Sequence, residues 1–504
     1  MLLRRLALLC ALICILASAA DAQIFRFRDR NRDRDRDRDV EEIIGQGTSP
    51  PEVLETRSRA DQAYQQGDYA KVIELTTWLI DNFPSDHPYF AYHLRASAKI
   101  ELGKAAGSGK QVREGITDAR AAIGNAGVKY PWLHIPYLYG LTSLAELERR
   151  PEHADMAIKV VTPVLDFPTS KEHTDDDRAN LYYQRALAYG AKRDFKQAVA
   201  DYAEAIKLSP AHLGAYIKRA ESLAALGRTK EALEAYDDCV AEFPANLLVY
   251  NDRGSFRRTA GDLDGAVSDF TRCLAIDSKF AVGYVNRGMC LADQNSAQAA
   301  EGDFSEALML KLDPGTANLA RRMRGSARLA QGNVAGALTD LAAAIKAAPQ
   351  EAALYEERGF AQFFKKEFAE AVSDFAKARQ LRPERTYLLA WQALAQVRAG
   401  REAEARTLLD SALDGKNAPT GWNAKVCGFL AGRTTEQDLL DYAAGEGTAR
   451  EKKQHQCEAH FFIGQKLLTR DEGAAADHFR ETVAGNEFAL AAFRGARYEL
   501  NDFK

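Results

Sequence analysis

Tyr250-Asn251-Asp252-Arg253-Gly254, then Gly261-Asp262-Leu263, then Ala266-Val267-Ser268-Asp269-Phe270 is the stretch that decides the fold. Counted from Leu247, Gly254 stands at the eighth position, Ala266 at the twentieth and Phe270 at the twenty-fourth. The same landmarks return along the chain. The eighth position is Ala186, Ala220, Gly254, Gly288, Gly325, Gly359 and Ala393, and the twentieth is Ala198, Ala232, Ala266, Ala300, Ala337, Ala371 and Ala405. The twenty-fourth is Tyr202, Tyr236, Phe270, Phe304, Leu341, Phe375 and Leu409. The units start at 179, 213, 247, 281, 318, 352 and 386. The step is 34 residues except from 281 to 318, where an insertion around Leu312-Asp313-Pro314 is absorbed. Pro210, Pro244, Pro314, Pro349 and Pro383 close many of the units.

Each unit reads as two short amphipathic helices. Small residues let the helices cross closely, and the aromatic fills the gap beside them. Proline ends the second helix because it has no N–H to continue the hydrogen-bond ladder. One such pair cannot bury its apolar face alone, so the units must stack. In these residues the chain resembles the tetratricopeptide repeat family. The resemblance implies an all-α, right-handed solenoid of roughly ten to eleven helix-turn-helix pairs and a binding role, without naming a partner.

The repeat is weaker at both ends. Residues 53–168 carry degenerate units: Gly67-Asp68-Tyr69 marks one inter-helix turn, Gly103 another, and Gly140 with Ala157-Ile158 a third. Gly107-Ser108-Gly109-Lys110 lacks the spacing and the following Ser or Thr of a phosphate loop, and reads as an insertion loop. Residues 179–414 hold the strict register, and 415–504 form a C-terminal helical region with a last repeat-like pair and a closing helix. There, Trp422, Gly428-Phe429-Leu430-Ala431-Gly432 and Cys457-Glu458-Ala459-His460-Phe461-Phe462-Ile463-Gly464 resemble the C-terminal part of bacterial envelope tetratricopeptide proteins. Those include an adaptor lipoprotein set between a periplasmic protease and cell-wall hydrolases. The chain departs from that lipoprotein in having no lipid-attachment cysteine.

Arg4 and Arg5, the apolar run Leu6 to Ala17 and the small-x-small site Ala20-Asp21-Ala22 make residues 1–22 a secretion signal. The expected location is therefore periplasmic or secreted, after cleavage near Ala22. Residues 23–52 follow as a tether in which Arg and Asp alternate almost strictly from Arg26 to Asp39. Charges this dense cannot bury enough surface to fold. The formal net charge of −4 gives no reason to expect nucleic-acid binding.

No catalytic site, metal site or cofactor is expected. His455, Cys457, Glu458 and His460 are ligand types, but on one helix only Cys457 and His460 share a face, and no second pair follows. An enzyme would have to place its site in 415–504 around His455, Cys457 and His460. Cys239 and Cys273 take the twenty-seventh position, which elsewhere holds alanine, and read as core. Cys427 and Cys457 form the pair that could bridge in an oxidising compartment.

The seventh position is Arg185, Arg219, Arg253, Arg287, Arg324 and Arg358. The twenty-third is Asp201, Asp269, Asp303, Asp340 and Asp374, with Ala235 the exception. Because the acids recur with the bases, a ladder of Arg–Asp pairs between helices is expected, against the alternative of an anion-binding Arg stripe. By analogy with the family, the concave binding face uses positions 2, 5, 6, 9, 12 and 13 of the first helices. In the 281 and 318 units these include Asn286, Met289, Asp293 and Arg322. In the 352 and 386 units they give Phe360, Phe363, Phe364, Tyr387 and Trp391, suited to apolar side chains of a bound peptide or, equally, to packing against the next unit. The family's polar clamp for a C-terminal carboxylate is not recognisable. The reading is a non-catalytic periplasmic scaffold or adaptor binding envelope proteins or peptides; the alternative is an accessory subunit of an envelope polysaccharide synthesis or export machine.

Overall fold

The computed structural model describes residues 49–503 apart from 87, 127–129, 167–173, 417, 446 and 488–489. The expected secretion signal at 1–22 and all but the last four residues of the expected tether at 23–52 lie outside the described residues. Among the described residues there are 25 α-helices and no strand, and no helix is long and apolar enough to cross a membrane. The chain divides into two units, residues 1–256 and 257–504, each taken here by itself.

The first unit holds α1 (Pro51–Gln66), α2 (Tyr69–Asn82), α3 (Pro88–Ala105), α4 (Gly109–Ala126), α5 (His134–Glu148) and α6 (Pro151–Leu165). It continues with α7 (Asp175–Ala191), α8 (Phe195–Leu208), α9 (Leu213–Ala225), α10 (Thr229–Glu242) and the start of α11 (Leu247–Ala260). The second unit holds the end of α11, then α12 (Leu263–Ile276), α13 (Ala281–Asp293), α14 (Ala297–Met309), α15 (Pro314–Ala330) and α16 (Val334–Ala347). It goes on through α17 (Ala352–Phe364), α18 (Phe368–Leu381), α19 (Leu388–Arg398), α20 (Glu402–Leu413) and α21 (Gly421–Leu430). It ends with α22 (Glu436–Gly445), α23 (Ala449–Leu467), α24 (Glu472–Ala484) and α25 (Ala491–Leu500). The architecture is the all-α stack of helix pairs that the register implies. The described helices make twelve pairs and a final single helix, more than the ten to eleven expected, because α21 and α22 add a pair ahead of the expected last one.

The turn inside a pair is set by local sequence. In three of the pairs a glycine with positive φ ends the first helix and the next residue's side chain caps the second. Gly67, Gly261 and Gly332 have φ of 76°, 89° and 89°, a region that only glycine enters without steric cost. Asp68, Asp262 and Asn333 follow, each accepting a hydrogen bond from the backbone N–H three residues on, at 3.0, 2.9 and 2.9 Å. The small eighth position is equally concrete. A Cβ placed on Gly359 would come within 2.7 Å of the Phe375 ring, so α17 and α18 cross with no room to spare.

Two insertions lengthen helices, the first of them where a loop was expected. In the unit near 87–131, α3 and α4 are each 18 residues long and turn at 106–108, so the extra residues lengthen the helices and Lys110 lies in α4. The insertion at 312–314 extends α15: Asp313 caps it through Gly315 and Thr316 N–H groups at 2.9 and 3.0 Å, and Pro314 takes the first turn.

Candidate functional site

The Arg and Asp of one repeat meet because sixteen residues carry the chain down the first helix, through the turn and back up the second. Arg185 Nε and Nη2 bind Asp201 at 2.7 and 2.8 Å, and Arg287 binds Asp303 at 2.8 and 2.7 Å. Arg324 forks onto Asp340 at 2.8 and 2.6 Å, and Arg358 onto Asp374 at 2.6 and 2.8 Å. All four carboxylates are buried. Two parallel charge-assisted bonds compensate for taking such a group out of water. The forks hold the four guanidinium groups in their charged form, above the ordinary arginine value. Arg253 and Asp269 fall in different units of the chain. Within its own unit Arg253 donates to Asp237 at 2.8 Å, and within its own Asp269 accepts from Arg257 at 3.0 Å.

The third guanidinium nitrogen reaches the second helix of the preceding repeat. Arg287 Nη1 donates to Thr271 at 3.2 Å and Arg324 Nη1 to Ser305 at 3.3 Å; Asp237 takes the same twenty-fifth position against Arg253. Arg185 finds Thr162 in the same way at 3.4 Å. Tyr182, Tyr250, Tyr284 and Tyr355, each three residues before its arginine, lie 5.3 to 5.7 Å from it with their ring centres. Arg185, Arg253, Arg287 and Arg324 therefore each tie one repeat to its neighbour. The degenerate part has its own rung, which the register did not reveal: Arg95 forks onto Asp118 at 2.9 and 2.8 Å and reaches Thr77 at 3.1 Å. In the 213 unit Ala235 replaces the acid. Arg219 reaches only Asp238, at 3.9 Å, and its Nε is enclosed without a partner.

The aromatic residues offered as a peptide-binding surface do lie on the first-helix face, but they are not open. Phe360, Phe363, Phe364 and Trp391 are 4%, 2%, 7% and 4% exposed. The C-terminal helices cover them. Trp391 stacks on Phe461 of α23 at 5.0 Å, and Phe364 stacks on Tyr498 of α25 at 4.9 Å. Tyr387 is partly buried and donates to Glu356, which also pairs with Arg385. As a surface for a free peptide this group is corrected to core, because burial of large aromatic faces against α23 and α25 outweighs leaving them wet. Polar residues on the same face are likewise engaged. Arg398 donates to Gln465 at 2.6 Å and Glu499 at 2.8 Å, and Arg494 reaches Ser326 at 3.4 Å and Glu357 at 3.6 Å.

His455, Cys457 and His460 take separate partners. His455 stacks on Trp422 at 4.5 Å, Cys457 Sγ lies 3.4 Å from the Thr482 carbonyl, and His460 Nδ1 meets His478 Nδ1 at 2.9 Å. Burial pushes the Cys457 thiol up to about 12, the opposite of what a nucleophile requires. Cys427 and Cys457, the pair that could bridge, are free in this structure: Cys427 is buried near Arg379, and Cys457 faces α24. Glu458, read from the sequence only as a ligand type, takes a different place. It accepts from Trp422 Nε1, and burial pushes its carboxyl up to about 7.

The first unit carries a partly exposed aromatic group that the register did not single out. Tyr89 stacks on Tyr130 at 5.8 Å, and His93 meets Trp132 edge-on at 4.9 Å. These rings sit at the start of α3 and just before α5.

A family model for the tetratricopeptide repeat matches residues 183–247 and 322–384. No curated protein matches the chain. Among solved structures, a tetratricopeptide repeat protein from Parabacteroides merdae is 18% identical, with 51% of this chain and 98% of that one covered and a TM-score of 0.37. YrrB, described as a tetratricopeptide protein with an unusual peptide-binding site, is 19% identical, with 36% and 92% covered and a TM-score of 0.33. The anaphase-promoting-complex assembly Cut9–Hcn1 is 13% identical, with 90% and 97% covered and a TM-score of 0.35.

Proposed function

We propose that this chain, with its tetratricopeptide repeats, is a non-catalytic scaffold or adaptor that is exported to the periplasm and binds envelope proteins there. The observation that carries the reading is the first-helix face of the 318, 352 and 386 repeats, which already cradles a helical segment of the chain itself. A face of that shape suits helical or extended segments of other proteins. The partly exposed rings Tyr89, Tyr130 and Trp132 are the second contact surface, since half-wet aromatics contribute large contact area at low entropic cost. The mechanism is presentation: a stack of rigid repeats holds one partner near another and raises its local concentration. Export rests on residues 1–22, with the Arg/Asp tract as a spacer.

Affinity capture of the processed chain from an envelope fraction tests this, with Trp132→Ala and Tyr89→Ala in parallel. A protease or cell-wall enzyme retained by the parent and lost with the ring variants supports the adaptor. Retention of polysaccharide-export components would replace it with the machine subunit, and a chain that stays in the cytoplasm would end both.

A further inference from the structure

The closing helix α25 is seated as a ligand would be. Arg494 and Tyr498 lie one turn apart on a ten-residue helix and both point at the first-helix face of earlier repeats. Tyr498 donates to the Leu329 carbonyl of α15 at 2.9 Å and stacks on Phe364 of α17 at 4.9 Å. Arg494 reaches Ser326 of α15 and Glu357 of α17. Ser326, Leu329, Glu357 and Phe364 stand at positions 9, 12, 6 and 13 of their repeats, the positions that line the concave face. The seam is also incompletely matched. A cavity of 160 Å³ lies between Phe363 and Phe364 on one side and Tyr498 and Glu499 on the other. Arg494 Nε is enclosed without a hydrogen-bond partner, and Glu357 Oε2 has only the long 3.6 Å ion pair with Arg494 Nη1 in place of a hydrogen bond. A contact selected only for stability fills its voids and pairs its buried charges. The defects here fall between α17 and α25.

The geometry points to α25 as a built-in occupant of a protein-binding groove on α15 and α17, displaced by a partner's helix that carries a basic residue and, four positions on, an aromatic one. Resting on the scaffold reading, this names the partner's chemistry. Arg494 shows the charge that Glu357 accepts, and Tyr498 shows the ring that Phe364 stacks. The occupied state keeps the groove closed until a helix with better-matched contacts competes, and the energetic gap is the difference between the two seatings.

The probe is a labelled synthetic peptide of residues 487–504, offered to the full chain and to the full-chain variant Arg494→Glu/Tyr498→Ala. The variant should bind it at least ~10-fold more tightly than the parent, because its own helix competes poorly. A peptide carrying the same two changes should bind neither chain. Hydrogen exchange on the unmodified chain gives an arm independent of the variant's folding: amides of α25 should exchange at least ~100-fold faster than those of the Phe461–Gly464 stretch of α23. Equal protection of the two helices, or no peptide binding by a variant with unchanged circular dichroism, would overturn the proposal and make α25 a fixed part of the core. Concentration-dependent dimerisation of the parent through this seam would overturn the partner assignment in favour of a second copy. Loss of the proposal leaves partner capture through Trp132 intact, whereas loss of the scaffold reading abolishes capture and leaves the exchange of α25 unchanged.

Discussion

The hydroxyl of Tyr498 donates to the main-chain carbonyl of Leu329 across 169 residues of sequence, at 2.9 Å. This bond and the stack on Phe364 attach the last helix to the repeats. Tyr498→Phe keeps the ring and removes the bond. It should lower the opening free energy of α25 by about 1 kcal/mol, the usual net worth of one such bond, and speed exchange of its amides roughly fivefold. Unchanged exchange would mean that the ring alone seats the helix.

Asp340 receives both Arg324 and Arg328, at 2.6 and 2.8 Å. Asp340→Ala leaves the largely buried Arg324 without its acid and Arg328 with Glu301 alone, and should cost about 3 kcal/mol. Asp237→Ala, which removes a half-exposed acid from Arg253, should cost no more than about 1 kcal/mol. Urea denaturation of the two variants checks the order; equal losses would show that burial of the acid is not what matters.

Ala235→Asp supplies the acid that the 213 unit lacks. Arg219 Nε is already enclosed and unpaired, so a carboxylate there should gain about 1 kcal/mol and raise the melting temperature. Ala235 is itself buried, so the gain depends on the carboxylate reaching the fork as Asp201 does. A fall in melting temperature would mean that the site has closed around alanine.

Glu458 makes the second unit sensitive to alkali. Its carboxyl titrates at about 7 in the folded chain against 4.5 ordinarily, with burial as the main cause and the Trp422 bond opposing it. A raised folded value means that the contribution is complete below about 4.5 and is lost as pH rises through about 7. Thermal melts should therefore show a loss between pH 5 and pH 8 worth up to about 3 kcal/mol. Glu458→Gln, still able to accept from Trp422, should match the parent at pH 5 and exceed it at pH 8. Parallel profiles would remove Glu458 as the cause.

The repeats were legible because their determinants are local. Gly261 and Asp262 set the turn between α11 and α12 by their own φ and cap, and a sixteen-residue offset is enough to place Arg287 against Asp303. The first-helix face was legible for the same reason, since position along a repeat decides which way Phe360 and Trp391 point. What covers that face was not. Trp391 meets Phe461 seventy residues later, and Phe364 meets Tyr498 still further on; no repeat of 34 carries that information. The hydrogen bond that Glu458 accepts was hidden for the same reason, because its donor Trp422 belongs to another helix pair. Arg95 and Asp118 were missed because longer helices stretch their spacing to twenty-three residues and hide the rung from a fixed register.

The empty rung at Arg219 also bears on how the array comes apart. A stack of repeats holds together by the coupling of each unit to the next, so unravelling that starts at one end halts where coupling is strong and runs on where it is weak. Neither the buried acid nor a hydroxyl on the preceding second helix is present for Arg219, since Ala235 and Ala203 stand in those places. The 213 repeat is thus a perforation line: mechanical pulling or partial proteolysis would part the array there first, and the fragments released would break at a sequence position rather than at random.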